Sequence, residues 1–131
     1  MLINGAYILS DSNKKPDIIL IATGSEVHIT LEAGKILKEK GISARVVSMP
    51  SWELFEKTSQ EYKDKVLLPD VNIRIAVEAG IPMGWERYAG SNGTIIGINE
   101  FGASAPGNTV MEKFGFTSEN IVQKATKLLN R

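Results

Sequence analysis

The chain has no cysteine, one histidine and no surplus of charge of either sign. Without cysteine there is no disulfide framework, no redox thiol and no thiolate metal centre. A single imidazole, His28, leaves too few ligands for a His-based metal site, and no acidic loop has calcium-binding spacing. Fifteen basic side chains cancel fifteen acidic ones. That balance removes the electrostatic footprint of a nucleic-acid partner or an anionic membrane. No run of 18 apolar residues and no signal-peptide pattern is found, so a cytoplasmic location is expected. GxGxxG is missing, as is any Gly-Lys-Ser/Thr, which excludes the dinucleotide fingerprint and the P-loop. Aromatic residues are few, 7% of the chain, and Trp52, Trp85 and Phe101 have few basic neighbours. They read as core or interface residues rather than stacking platforms.

The stretch Asp17–Val27 organises what is present. Ile18-Ile19-Leu20-Ile21-Ala22 carries no polar side chain, as a central parallel strand covered on both faces requires. It breaks at Thr23-Gly24-Ser25-Glu26, and a helix is expected from about Glu26 to Lys40, ending at Gly41. Thr23 and Glu26 have capping-box spacing, and Ser25 is an alternative cap. On that helix His28, Glu32, Lys35 and Glu39 form one hydrated stripe, and apolar residues fill most of the remainder. A solvent-exposed His28 is the expectation.

Around this unit the chain reads as one α/β domain, 1–131, with no internal repeat or linker. A first strand over Gly5–Leu9 is separated from the second by a short turn-rich segment, too short for a parallel crossover, so it should run antiparallel. A third strand over Ile42–Met49 completes a right-handed strand–helix–strand unit. Two short helices are expected between Ser51 and Leu68. A fourth strand, Asn72–Val77, alternates polar Asn72 and Arg74 with apolar neighbours and suggests incomplete cover. A two-turn helix within Gly80–Gly90 and a fifth strand over Thr94–Ile98 follow. Two helices close the chain: one after Pro106, and an amphipathic one capped by Thr117 or Ser118 that buries Ile121, Val122, Ala125, Leu128 and Leu129.

Open α/β sheets bind ligands at the carboxyl ends of their strands. The residues there define a candidate crevice: Thr23, Gly24, Ser25, Glu26, Ser48, Glu78 and Glu100. A Gly-containing turn at a helix N-terminus can hold an anion, but these residues read first as a structural cap. No cationic or nucleophilic partner joins them. The residues alone point to no catalytic, cofactor-binding or metal-binding residue.

Several strings, in order and register, resemble the C-terminal domain of transketolase. They are Pro16–Val27, Arg45-Val46-Val47-Ser48-Met49-Pro50, Glu53-Leu54-Phe55, Val77-Glu78-Ala79-Gly80, Gly84-Trp85-Glu86-Arg87-Tyr88, and Phe101–Pro106 leading to Glu112-Lys113-Phe114-Gly115. The resemblance implies a three-layer α/β/α fold on a five-stranded mixed sheet of order 1-3-2-4-5 with strand one antiparallel. It implies a structural and interaction domain whose partners are the remaining transketolase domains and the dimer mate. Thiamine diphosphate and a divalent metal would be held by those other domains, and no Gly-Asp-Gly segment occurs here to bind them. The parent reaction is transfer of a two-carbon ketol unit between sugar phosphates, in the pentose phosphate pathway. This chain alone should not perform it. The alternative expectation is a regulatory module that binds a small metabolite in the crevice.

Overall fold

The computed structural model describes residues 5–12, 14–23, 26–78, 88, 94–97 and 117–130, with the backbone alone at Trp52, Glu78 and 95–97. Its sheet has five strands: β1 (Tyr7–Ser10), β2 (Ile18–Ala22), β3 (Ala44–Ser48), β4 (Arg74–Glu78) and β5 (Thr94–Gly97). Their spatial order is β1-β3-β2-β4-β5. β1 runs antiparallel to β3, and the other neighbours are parallel. The short β1–β2 connection thus forces the expected direction, and β3 inserts between the two.

β2 sits at the centre with every residue buried. Alternation sends Ile18, Leu20 and Ala22 to one face and Ile19 and Ile21 to the other, so each face receives its own core. The first face is covered by α1 (Val27–Glu39) and by the terminal helix, α4 (Ser118–Leu129). Ala33 and Leu37 of α1 meet Ile121, Val122 and Ala125 of α4 there. The second face is covered by α2 (Trp52–Glu56) and α3 (Gln60–Val66), where Phe55 and Val66 pack with Tyr88. Edge-to-face contacts join the ring of Phe55 to those of Tyr62 and Tyr88.

Local chemistry explains the boundaries. Gly41, at φ +82°, takes the left-handed position after α1, and its N–H donates to the Lys38 carbonyl while Ile42 N–H donates to Leu37. Ser51, Ser59 and Thr117 cap α2, α3 and α4, each side-chain oxygen accepting from the N–H three residues on. Gly5 is held at φ +76° against the start of α2. A Cβ there would lie 2.3 Å from both the Phe55 nitrogen and the Ser51 oxygen.

Two expectations are corrected. β4 is not half-covered, because Ile75, Ala76 and Val77 are as buried as β2. Asn72 precedes the strand, and the Arg74 guanidinium folds onto the carbonyls of Leu68, Val71 and Tyr88 instead of facing water. Neither does α1 begin with a capping box. Glu26 is its N-cap with helical φ/ψ and makes no side-chain cap hydrogen bond, since a tight turn from Thr23 O to Glu26 N already starts the spiral. The expected helix after Pro106 and most of that within 80–90 lie outside the described residues; Tyr88 is helical.

Candidate functional site

Parallel register aligns the carboxyl ends of the strands. Ala22 stands opposite Ser48 on one side and Val77 on the other, and Glu78 opposite Gly97. Thr23, Ser48 and the backbone of Glu78 therefore share one edge, with Glu26 entering it at the foot of α1. Gly24, Ser25 and Glu100 lie outside the described residues. Of the candidate crevice, the fold brings together Thr23, Glu26, Ser48 and the Glu78 position.

Glu26 is 3% exposed and Ser48 6%, so both polar groups belong to the interior end of this edge. Thr30 Oγ1 donates to the Glu26 carbonyl at 2.8 Å, which fastens the first turn of α1. Glu26 places a buried carboxyl group at the N-terminal end of the helix. Of the side chains described at this edge, Thr23, Glu26 and Ser48, none is a cation that would draw in a phosphate. Chemically the edge offers one buried acid and two hydroxyls. The imidazole that would be needed for proton transfer is elsewhere, since His28 is exposed on the outer stripe of α1 together with Glu32, Lys35 and Glu39. Among the described residues no three His, Cys, Asp or Glu stand together as a metal ion would require.

The strongest polar constellation lies at the opposite, amino end of the sheet and was not singled out by sequence pattern. Arg45, 8% exposed in the middle of an apolar run, donates from Nε and Nη2 to both carboxylate oxygens of Asp11 at 3.1 and 3.0 Å. Its Nη1 donates to the carbonyls of Lys65 and Val66. One guanidinium thus ties the β1–β2 turn and the end of α3 to β3. Asp17 adds a second tie by accepting the Ser43 N–H at 2.9 Å. On β4, burial lowers the pKa of Arg74 from its ordinary value, and three carbonyl acceptors hold the cation in place. Tyr88, whose carbonyl is one of them, donates its hydroxyl to Glu56 at 2.7 Å. These groups are scaffolding. The only textual signal for them is a lone arginine inside each of two apolar strands.

Residues 5–117 match the family model for the transketolase-like TK C-terminal domain. A transketolase of Aquifex aeolicus (strain VF5) is 53% identical over 120 residues, 92% of this chain and 17% of that protein. Transketolase from Leishmania mexicana superposes with a TM-score of 0.90 at 36% identity, over 99% of this chain and 18% of that one. A transketolase from Pichia stipitis, solved in complex with sedoheptulose-7-phosphate, gives a TM-score of 0.86 at 38% identity over 97% of this chain and 18% of its own. The chain therefore spans less than one fifth of the length of each of these relatives. Sheet order, the two covered faces and the sequence match agree: the chain belongs to the family of transketolase C-terminal domains.

Proposed function

We propose that these 131 residues are a single structural and interaction domain of a transketolase, not catalytic alone. They pack against the enzyme's remaining domains and its dimer mate. The cytoplasm is the expected setting, and neither nucleic acid nor membrane is a partner. The observation that carries this reading is the family match across 5–117 in relatives of which the chain is less than a fifth. The reaction of the parent, a transferase, is movement of a two-carbon ketol unit between sugar phosphates. The sedoheptulose-7-phosphate bound to the Pichia stipitis relative is a substrate of the kind such a reaction needs.

Thiamine diphosphate with a divalent metal is the cofactor that such a parent would use, as electron sink for the transferred unit. The residues here do not fit it. Among the described residues, the carboxyl edge offers one buried acid and two hydroxyls, with no cation to meet a diphosphate and no cluster of three acids or imidazoles to hold a metal. No step of the reaction is therefore assigned to this chain. Its part is to complete a surface on which other domains are held.

The test is ketol transfer by the purified chain supplied with thiamine diphosphate, magnesium and a ketose–aldose phosphate pair. A rate equal to the protein-free control is expected, and turnover proportional to chain concentration refutes the reading. A second reading, a small-ligand regulatory module at Thr23, Gly24, Ser25, Glu26, Ser48, Glu78 and Glu100, draws on the buried Glu26 and Ser48.

A further inference from the structure

A cavity of about 550 Å³ opens at the amino end of the sheet, away from the carboxyl edge. It lies between the β1–β2 turn, one face of α1 and the α1–β3 connection, a volume suited to a small metabolite. Lys14 reaches it from the turn, and Lys35 and Lys38 reach it from α1. Helical spacing puts Leu31, Lys35 and Lys38 on the same face, so an apolar side chain and two ammonium groups line one wall. Ser10 and Ser43 bring hydroxyls to the rim.

The charge in this cavity is not cancelled from within. The ion pairs among the described residues are Arg45–Asp11, Lys57–Glu53 and Lys63–Glu56, and none uses Lys14, Lys35 or Lys38. Asp11, the acid that lines the cavity, has both oxygens committed to Arg45, and Oδ1 also accepts the Ser12 N–H. Lys38 lies in the last turn of α1, where the terminal carbonyls already have backbone donors. The carbonyls of Ile36, Leu37 and Lys38 accept from the N–H groups of Lys40, Gly41 and Ile42. Lys14, Lys35 and Lys38 thus line one concave space with hydroxyl-bearing residues, and of the acids along α1 Glu32 and Glu39 stand at helical spacing from Lys35 but not from Lys38.

We propose that this cavity is a binding site for a small phosphorylated metabolite, with Lys14, Lys35 and Lys38 as its charge partners. The ligand class is a phosphate ester or diphosphate carrying at least two negative charges. A flat lysine face would attract anions diffusely, whereas a cavity with lysines on two walls gives them a common point of approach. The site stands on the far edge of the sheet from the crevice at Thr23, so occupancy of one does not require the other.

Isothermal titration of the full chain with inorganic pyrophosphate, in parallel with inorganic phosphate, tests the proposal at low ionic strength. Saturable binding at one site is expected, tighter for pyrophosphate and weakened as salt is raised. The double substitution Lys35→Gln, Lys38→Gln should weaken pyrophosphate binding by about tenfold or more, while Lys124→Gln, Lys127→Gln on α4 should leave it unchanged. Circular dichroism melts confirm that both variants fold. Absence of saturable binding overturns the proposal, and so does an equal loss in the two double variants, which would mean diffuse attraction to surface lysines.

Discussion

Arg45 carries its guanidinium into a strand that is otherwise apolar up to Ser48, and it stays there because each of its three nitrogens finds an acceptor. Asp11 takes two of its N–H groups, and the carbonyls of Lys65 and Val66 share another. The arginine is nearly enclosed, whereas the Asp11 side chain is 39% exposed, so the two ends of the bridge are not equivalent. Removing the buried end strands carbonyls and a carboxylate together; removing the wetter end leaves a cation that still has two acceptors. Arg45→Gln should therefore cost about 2–3 kcal/mol of folding stability, and Asp11→Asn only about 1 kcal/mol after allowance for solvent screening. Urea denaturation of both variants checks the order, and a larger loss for Asp11→Asn would contradict the assigned geometry. Single residues of this kind are the part of the structure that sequence patterns convey least. A hydrophobic pattern marks Arg45 and Arg74 as polar interruptions, and on β4 that reading suggested a wetter strand than the one found. Nothing local reveals that the partners are a turn 34 residues upstream for Arg45 and backbone carbonyls for Arg74.

Elements were far more legible than residues. The apolar run of β2 could only be a doubly covered strand, and the hydrated stripe of α1 emerged with His28, Glu32, Lys35 and Glu39 all exposed. Ser51 and Ser59 divide the segment after β3 into two short capped helices, as broken periodicity suggested. The start of α1 differed because Glu26, which should have reached back to cap, instead occupies the cap position itself. That shift places a buried carboxyl group at the foot of α1, at the stretch expected to serve first as a structural cap. At the far end of the chain α4 docks by one stripe, Ile121, Val122 and Ala125, onto α1 and the sheet, while Ser118 Oγ reaches Glu32 Oε1 at 3.3 Å. Ile121 is fully buried. Ile121→Ala should remove about 3 kcal/mol, from lost transfer energy and the cavity left between α4 and α1. A thermal melt that matches the parent chain would show that α4 adds nothing to the core.

At the scale of the whole molecule, the sheet order and the direction of β1 agree with the fold that the family resemblance implied. Physics alone supplied the antiparallel β1 through its short connection; the insertion of β3 between β1 and β2 came from the resemblance, because no local rule orders strands. Of the carboxyl-edge residues, Thr23, Glu26, Ser48 and the Glu78 position share one edge as topology requires, and the lysine-lined cavity lies at the other edge. It was hidden in the sequence because Lys14 is distant in the chain from Lys35 and Lys38, and each lysine alone looks like part of a solvated face. What the described residues form is a double core, one on each face of a sheet whose edge strands are β1 and β5. That suits a domain whose work is to be held against others. The most direct test is a chimera in which this chain replaces the matching C-terminal segment of the Aquifex aeolicus transketolase, 53% identical to it. The account predicts a folded chimera whose ketol-transfer kcat/KM stays within about tenfold of the unaltered enzyme. A chimera that aggregates, or that folds without transferring ketol units, contradicts it.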